Sequence, residues 1–478
     1  MAEQPALPAW HAEHYRRMAE RRPGLVTIIE ATTPDHRDRA VDALRALAIV
    51  GVVLGHWLVT GLVDTGGVLR AASPLTSMPA LTPISWVLQT LAIFFLVGGY
   101  TAARGHRPRG HRARGHRARG HRALHDAPHG GDQEDGGRRS DGYRAWLGRR
   151  AARLLVPVPI LLALWAAAVP LLIVAGYPVG TIWSLVQLVL DPLWFLLVYL
   201  GLTALTPVVA GAVRRYGAWA AAIPVAITAL VDLARFVLGA PGWIAWITVA
   251  SAWLVPFTLG AAWAQGSFTA RPHRPRLVPT APARAERPIA RMAPAAGPWA
   301  LLLGGGTATA ALIWFAGYPA SMVGVPGQAV SNLSPPTLAA VTFGMAQCGA
   351  ALLLRGPLTS LMRRPMLWAG VAMVNLSAMT IFLWHQSAML GVSALVTRIT
   401  DTVPGLLDPP DHAGWILHRL VWIPVFAAVL AGLWSLAHRF ERRIRSQPAG
   451  SSVHLTKRPD DPDETVGTRR TTTGCAEY

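Results

Sequence analysis

The sequence predicts an all-α polytopic membrane protein with ten transmembrane helices. Of the 478 residues, 52% are hydrophobic and only 14% are charged, whereas a soluble protein usually has about a quarter charged residues. Runs of about 20 apolar residues recur along the chain, and each is long enough to cross a bilayer as a helix. The net charge of +19 does not indicate a nucleic-acid partner, because the basic residues of a membrane protein usually mark cytoplasmic loops.

The apolar runs give the predicted helices in order along the chain. These helices cover residues 43–63, 83–103, 152–175, 193–213, 218–238, 243–264, 298–317, 335–354, 371–397 and 415–437. The segments between them alternate, since every second segment contains several arginines and the others contain only Arg70 and Arg398. By the positive-inside rule, this alternation predicts that both termini lie in the cytoplasm.

One membrane domain, residues 43–440, is expected between a cytoplasmic N-terminal segment, 1–42, and a disordered cytoplasmic tail, 441–478. Two segments inside it are predicted to be disordered, a basic insertion at 104–141 and a Pro- and Arg-rich linker at 265–297. The insertion contains "RGHRPRGHRARGHRARGHRA", which has no apolar periodicity and whose charges repel one another. We expect this repeat to lie on anionic lipid headgroups. Metal binding by its histidines is the alternative, although the repeat lacks acidic residues to orient them.

The first predicted helix carries polar side chains at Asp42, Arg45 and His56. Arg45 and His56 are 11 residues apart, close to three helical turns, so they share a face with an axial separation of about 16 Å. Asp42 lies three residues before Arg45 on nearly the same stripe. A stripe of this kind faces a partner helix or a cavity, because lipid does not tolerate it. Each residue also has a structural interpretation. Arg45 can extend to the lipid headgroups, Asp42 can stabilise the helix start and pair with Arg45, and His56 can be a packing residue.

A second intramembrane histidine, His385, lies in "NLSAMTIFLWHQSAM" of the ninth predicted helix. It is about as far from the start of its helix as His56 is from its own, so both imidazoles can reach the same layer of the membrane. Asn375, ten residues earlier, lies nearer the cytoplasmic side. The alternative for His385 is a structural hydrogen bond to a neighbouring helix.

Two further charged groups occur at helix ends. The segment "RRAARLLVPVP" opens the third predicted helix and contains Arg150 and Arg153. The planar fork of donors in arginine binds phosphate, so this cluster is a candidate for a phosphorylated ligand, and topology alone is the alternative. Asp232 and Arg235 of the fifth predicted helix are three residues apart, and we expect them to neutralise one another.

These fragments, in this order, resemble the acyltransferase 3 family of integral membrane O-acyltransferases. The resemblance covers roughly residues 37–440. Its strongest part is "RAVDALRALAIVGVVLGHWL", with Asp, then Leu-Arg, then His 11 residues after that Arg. The other matching fragments are "FFLVGGY", "RRAARLLVP", "LWFL" and "NLSAMTIFLWH". The chain departs from the family pattern at Gly98, where the family more often has Ser.

The resemblance implies transfer of an acyl group from cytoplasmic acyl-CoA, with acetyl-CoA expected, to a hydroxyl of a sugar-containing acceptor. The acceptor is a cell-envelope polysaccharide or a glycosylated metabolite. His56 would be the general base, and His385 would orient the acceptor or stabilise charge. Acyl-CoA enters as a co-substrate, and we expect no bound cofactor, no metal and no nucleic acid. The candidate substrate-binding residues are Asp42, Arg45, Arg150, Arg153 and Asn375.

Location and two alternative functions complete the sequence-based expectations. We expect a multi-pass protein of the cell membrane, in the plasma membrane of a bacterium. The main alternative is a transporter of a small polar solute or of protons, although no inverted repeat relates the two halves of the chain. A second alternative is a membrane scaffold whose basic loops bind a partner.

Overall fold

The computed structural model describes residues 24–35, 37–106, 132–268, 296–396, 400 and 403–446. For residues 132–141 and 437–446 it describes the backbone alone. Most of the Arg/His repeat, most of the linker 265–297 and the tail from residue 447 lie outside the described residues, as does the chain before Gly24. The described part up to Ala437 forms one compact unit and is nearly all helical, which confirms the all-α class.

The helices of the described residues are numbered in chain order, and a single hairpin of two short strands follows α2. The first half of the chain contains α1 (Leu25–Thr32), α2 (Arg39–Val59), β1 (Gly61–Thr65), β2 (Val68–Ala72), α3 (Pro74–Ser77), α4 (Thr82–Leu88), α5 (Leu91–Gly105), α6 (Asp132–Leu155), α7 (Val158–Val174), α8 (Val179–Leu190), α9 (Leu193–Ala204) and α10 (Thr206–Tyr216). The second half contains α11 (Ala222–Phe236), α12 (Trp246–Ala264), α13 (Ala296–Phe315), α14 (Leu338–Leu361), α15 (Pro365–Leu376), α16 (Ala378–Val396) and α17 (Ala413–Ser446).

Ten helical stretches among the described residues are long and apolar enough to cross a membrane, which confirms the predicted number. The side of the membrane on which the termini lie stays a prediction from the arginine alternation. The ten stretches are Arg39–Val59, Pro79–Gly105, Gly142–Val174, Val179–Ala204, Thr206–Phe236, Gly242–Ala264, Ala296–Phe315, Leu338–Leu361, Ala378–Val396 and Ala413–Leu436.

The fourth and fifth stretches lie earlier in the chain than the predicted 193–213 and 218–238. The predicted outer loop 176–192 contains α8, a mainly apolar helix whose polar residues are Thr181, Ser184 and Gln187. Pro192 lacks the backbone donor of a helix interior, so the helical hydrogen bonds of α8 are interrupted there and α9 begins at Leu193. As a result, the arginines predicted to lie in a loop at 214–217 close α10 inside the fifth stretch.

The ninth predicted helix, 371–397, is two helices. The chain breaks at Ser377, between α15, which carries Asn375, and α16, which carries His385. The predicted loop 64–82 likewise contains structure, because β1 and β2 pair antiparallel through a tight turn. Gly66 and Gly67 form that turn with positive φ angles of 64° and 82°, the conformation that a two-residue hairpin favours.

The predicted disordered boundaries also need correction. Helix α6 begins at Asp132, so the end of the predicted disordered insertion 104–141 is helical. Its first turns are rich in Asp, Glu and Gln, and acidic residues favour a helix start. Helix α17 ends at Ser446 and therefore includes the first residues of the predicted tail, 441–478.

Glycines allow the central helices to approach closely. A Cβ atom at Gly99 of α5 would clash with the backbone carbonyl of Phe257, and one at Gly260 of α12 would clash with the carbonyl of Leu96. Small residues at helix crossings let backbones touch, which is the usual way that membrane helices associate. The pair α5 and α12 thus forms the centre of the bundle, with α2 and α14 packed against it.

The outer surface of the bundle is apolar and its interior contains polar groups. Large side chains such as Leu171, Trp183 and Trp314 are mostly exposed. His385, Thr203 and other polar residues are completely buried. This distribution fits a chain whose solvent around the bundle is lipid, because polar groups then need partners inside the protein.

Candidate functional site

Helix α2 carries the polar stripe predicted from the sequence. Its start is capped by Asp38, whose carboxylate accepts a hydrogen bond from the Val41 N–H at 3.4 Å. The helix continues without a break to Val59, so the spacing of Arg45 and His56 on one face is preserved. His56 lies in the last turn of the helix and Arg45 in the second turn. The two predicted functional groups therefore lie at opposite ends of one rigid element.

The structure brings the two predicted histidines together. The ring centroids of His56 and His385 are 5.1 Å apart, and their planes are tilted by 48°. His385 is completely buried, and its Nδ1–H donates a hydrogen bond of 2.6 Å to the carbonyl oxygen of Phe382. This bond fixes the neutral tautomer whose lone pair is on Nε2. That Nε2 is buried and has no hydrogen-bond partner among the described residues.

Gln386 is a functional candidate that the sequence analysis missed. Its amide nitrogen lies 3.2 Å from Nδ1 of His56, and its Oε1 is buried with no partner in the described part of the chain. An amide donates through nitrogen and accepts through oxygen, so its orientation selects which imidazole nitrogen carries the proton. As placed, the amide N–H donates to Nδ1 and leaves the neutral proton of His56 on Nε2; a half-turn of the amide lets Oε1 accept from Nδ1–H and leaves Nε2 open. The only sequence signal for Gln386 was its position next to His385.

A buried arginine holds the helices of both histidines. Arg419 of α17 is 1% exposed, and its guanidinium donates to the carbonyl oxygens of Trp57 at 2.6 Å and Thr60 at 2.7 Å. It also contacts the sulfur of Met389 at 2.9 Å, one turn beyond His385. The Trp57 indole N–H in turn donates to the carbonyl oxygen of His385 at 3.0 Å. These bonds satisfy carbonyls at the C-terminal end of α2 and fix that end against α16.

The opposite end of α2 carries a network of charges. The Asp42 carboxylate accepts a hydrogen bond from Nε of Arg37 at 2.6 Å, and Nη1 of Arg45 lies 3.5 Å from its other oxygen. The prediction that Asp42 pairs with Arg45 is therefore only partly right, because its closer partner is Arg37 in the loop before the helix. The amide nitrogen of Asn375 donates to the backbone carbonyl of Asp42 at 2.8 Å, and its Oδ1 is buried without a partner among the described residues. Asn375 thus ties the end of α15 to α2.

The predicted phosphate-binding arginines cluster near Arg45. Arg150 donates from Nη2 to the carbonyl oxygen of Thr101 at 3.0 Å, and its guanidinium lies 4.7 Å from the centre of the Trp146 ring. The charges of Arg45 and Arg153 are close enough to interact with that of Arg150. Their mutual repulsion favours the binding of an anion between them.

Aromatic rings connect the arginine cluster with the histidines. Tyr199, which is close enough to Arg150 for an electrostatic interaction, has its ring centre 6.0 Å from that of Phe195. Phe195 is 5.1 Å from Phe382, which is 6.0 Å from His385. Phe195 and Tyr199 belong to α9, which begins with the "LWFL" fragment of the family resemblance. These rings form an apolar wall between the charged and the imidazole ends.

The departure at Gly98 has a steric explanation. A Cβ atom at this position would lie 2.6 Å from the Tyr199 ring and 3.2 Å from its hydroxyl oxygen. A serine would push the ring away from its place in the aromatic wall. Glycine at 98 therefore leaves the room that the Tyr199 ring occupies.

The predicted ion pair of Asp232 and Arg235 is present, but Asp232 has closer partners than Arg235. Their charged atoms are 4.0 Å apart, whereas Asp232 accepts from the Tyr318 hydroxyl at 2.9 Å and from the backbone N–H of Leu338 at 2.7 Å. The carboxylate therefore satisfies a free donor at the start of α14. Burial and the neighbouring carboxylate both raise the pKa of the Tyr318 phenol. This group is a structural link between helices.

No group of three or more His, Cys, Asp or Glu side chains in the described part of the chain could hold a metal ion. The chemistry available at the paired histidines is proton transfer by imidazole. His385 has the usual arrangement of a general base, with one ring nitrogen donating a hydrogen bond and the other open, and His56 reaches the same arrangement when the Gln386 amide turns its oxygen to Nδ1.

Comparison with known families identifies the class of the protein. The model of the Acyl_transf_3 family, described as an acyltransferase domain, matches residues 38–438. The chain belongs to this family and is an acyltransferase that transfers groups other than amino-acyl groups. It is a multi-pass membrane protein. Family membership favours an enzyme over the transporter and the scaffold. Comparison with curated proteins finds no match, and comparison with solved structures finds none either.

Proposed function

We propose that the protein is a membrane O-acyltransferase that moves an acyl group, expected to be acetyl, from cytoplasmic acyl-CoA to a hydroxyl of a sugar-containing acceptor. The observation that carries the proposal is the division of α2, with a basic cluster at one end and, about 16 Å away along the axis, the half-buried His56 paired with the buried His385. An acyl-CoA has the same division, because its phosphates and its thioester lie at opposite ends of a long arm.

Arg45, Arg150 and Arg153 bind the phosphates of the donor in this proposal. Their guanidinium groups supply charged donors in planar forks, which suit phosphate oxygens. The pantetheine arm then runs along the aromatic wall of α9 toward the histidines. Asp42 and Asn375 take a supporting part, because their bonds to Arg37 and to the α2 backbone hold the basic end of the helix in place.

His56 acts as the general base. The acceptor oxygen attacks the thioester carbonyl carbon while His56 takes the hydroxyl proton. The new C–O bond forms, the C–S bond breaks, and the proton passes to the leaving sulfur. The products are an O-acyl ester and free CoA thiol, so atoms and charge balance without a redox partner. For this step the Gln386 amide turns its Oε1 to the Nδ1–H of His56, which leaves Nε2 free to take the proton. His385 orients the acceptor hydroxyl or stabilises the imidazolium charge.

The acceptor is a cell-envelope polysaccharide or a glycosylated metabolite, and the enzyme acts in the plasma membrane of a bacterium. Both termini and the arginine-rich loops lie in the cytoplasm, where acyl-CoA is made. The Arg/His repeat rests on anionic headgroups of the inner leaflet. This arrangement is supported by the alternation of arginines between successive loops.

The test uses the full-length protein, purified in detergent and supplied with acetyl-CoA labelled in the acetyl group. Release of CoA thiol and transfer of label are measured with and without a panel of glycosylated acceptors, beside the His56→Ala variant. We expect label in an acceptor through a bond that mild base and hydroxylamine cleave, as they cleave an ester. An absence of thiol release under every condition, or label in a base-stable amide, would contradict the proposal.

A further inference from the structure

A second basic cavity lies beside the start of α2, apart from the Arg45 cluster. It is open, has a volume of about 420 Å³, and falls within the usual size range of small-ligand sites. Its walls come from the loop before α2, the end of α5 and the end of α14. The side chains that line it are Asp35, Arg37, Asp38, Arg39, Arg104, Arg355, Thr359 and Arg363.

Four of the five arginines are held against aromatic faces. The guanidinium carbons of Arg37 and Arg39 lie 5.6 and 4.9 Å from the centre of the Trp368 ring. Arg355 lies 5.7 Å from the Trp263 ring, and Arg104 lies 5.5 Å from that of Tyr100. Stacking immobilises a guanidinium while leaving its N–H edge free to donate. Arginines that served topology alone would not need this order.

Acidic partners hold three of these arginines and leave two cations uncompensated. Arg355 bonds to Asp38 at 3.0 Å, while Arg37 and Arg39 bond to Asp42 and Glu30, which do not line the cavity. Arg104 donates to the neutral Tyr100 hydroxyl at 2.7 Å. Within the described residues, neither Arg104 nor Arg363 forms an ion pair with a carboxylate. Each guanidinium has five N–H donors, so free donors converge on the cavity.

The mixture of groups selects the ligand class. Two guanidinium groups without carboxylates suit a phosphate dianion. The exposed carboxylate of Asp35 accepts hydrogen bonds and therefore suits a hydroxyl or amino group on the same ligand. A phosphorylated ribose or a nucleoside phosphate carries both features, whereas inorganic phosphate offers only the first. A lipid phosphate can share the phosphate chemistry.

The two basic sites are neighbours. Asp42 contacts both Arg37, which lines the cavity, and Arg45. The end of α5 also touches both sites: Arg104 lines the cavity, and the Thr101 carbonyl oxygen accepts a hydrogen bond from Arg150. Coenzyme A carries two separate phosphate groups, a diphosphate and a ribose 3′-phosphate. We propose that this cavity binds the ribose 3′-phosphate end of the donor while the Arg45 cluster binds the diphosphate. This inference rests on acyl-CoA being the donor under the proposed function.

The test removes the phosphate from the ligand and the cations from the protein. Binding of acetyl-CoA and of 3′-dephospho-acetyl-CoA is measured for the wild type and for a variant carrying both Arg104→Gln and Arg363→Gln. Two charge-assisted contacts predict that the wild type prefers acetyl-CoA by roughly 10- to 100-fold, and that the variant loses this preference. Arg364→Gln is the matched control, since Arg364 is an exposed neighbour that does not line the cavity, and its preference should equal that of the wild type.

Each other outcome has a separate meaning. If the wild type binds neither compound, the proposed function fails. If it binds both equally, or if the variant keeps the wild-type preference, acyl-CoA remains the donor but this cavity is not its 3′-phosphate site. The measurement is repeated in detergent with added phosphatidylglycerol. Loss of the preference on adding that lipid, with recovery on its removal, would assign the cavity to a lipid headgroup and overturn the inference.

Discussion

The two ends of α2 differ in the side chains that they present. At its first turns these are the charged, paired and partly exposed Asp42 and Arg45. At its last turn it is the neutral His56, which lies among buried polar atoms that lack some hydrogen-bond partners within the described residues. The buried Asp42 carboxylate faces both Arg37 and Arg45, which leaves a net positive charge at this end of the helix. His385 and Gln386, which contact His56, each leave a buried atom without a partner in the described part of the chain. An unpaired buried polar atom costs free energy, so it is retained mainly where a ligand or a reaction uses it. The Asn375 Oδ1 at the charged end is also unpaired among the described residues, so the two ends differ in degree; under the proposed function, binding belongs to the charged end and chemistry to the imidazole end.

The largest expected effect follows from His56→Ala. If His56 is the base, turnover should fall by roughly 10²–10⁴-fold, the usual contribution of positioned acid–base catalysis. The protein should remain folded and inserted, because the change removes a polar group from a half-buried site and leaves the apolar packing of α2 in place. The measurement is label transfer from acetyl-CoA at matched expression. His418→Ala, on the exposed face of α17, is the control and should retain full activity. Near-normal transfer by His56→Ala would show that His56 is not the base and would make His385 the candidate for that role.

The charged end is tested by Arg45→Ala, which should weaken donor binding as well as lower turnover. Loss of a charge-assisted hydrogen bond predicts a dissociation constant for acetyl-CoA that is roughly 10- to 100-fold higher. Asp42 keeps its closer partner, Arg37, so the fold should tolerate the change. Arg45→Lys keeps the charge but not the planar pair of N–H donors, so its dissociation constant should lie between those of the wild type and Arg45→Ala. Unchanged binding in Arg45→Ala would show that this arginine serves topology.

A smaller effect is expected at Gln386. Gln386→Met keeps the shape of the side chain but removes its hydrogen bond to His56, so kcat should fall by roughly 3- to 10-fold with little change in the KM for acetyl-CoA. Gln386→Glu replaces the amide donor by an acceptor, which favours the proton on Nδ1 of His56 and leaves Nε2 open as the base, so this variant should retain more activity than the Met variant. Steady-state kinetics of both variants separate the two parameters. Equal activity of Gln386→Met and the wild type would reduce Gln386 to a packing residue.

The smallest effect is expected from shortening the Arg/His repeat. Deletion of residues 107–123 should leave transfer largely intact, because the repeat has no apolar periodicity and a loop is shortened at small entropic cost. Gly105 and His106 are kept, since they pack against Trp146 of α6. Turnover at matched expression is the measurement. A large fall in turnover would show that the repeat helps to capture the donor, so that donor binding would involve more than the charged residues at the start of α2.

Composition and helical spacing predicted the number of membrane helices and the stripe on α2, because both depend on residues close in the chain. They also placed His56 and His385 in one layer of the membrane. They did not predict the break at Ser377 or the helix α8, since apolar runs look alike whether a helix bends or continues. Gln386 and Arg419 were missed because their roles depend on contacts between helices that are distant in sequence.

The central claim, that the two ends of α2 divide binding from chemistry, is tested most directly by the dissociation constant of acetyl-CoA for the His56→Ala protein. The donor phosphates would lie about three helical turns from His56, so the constant should stay within roughly threefold of the wild-type value while transfer is lost. Titration of purified wild type and variant under the same conditions gives the comparison. A dissociation constant raised tenfold or more, in parallel with the loss of transfer, would contradict the division and make His56 part of the donor site.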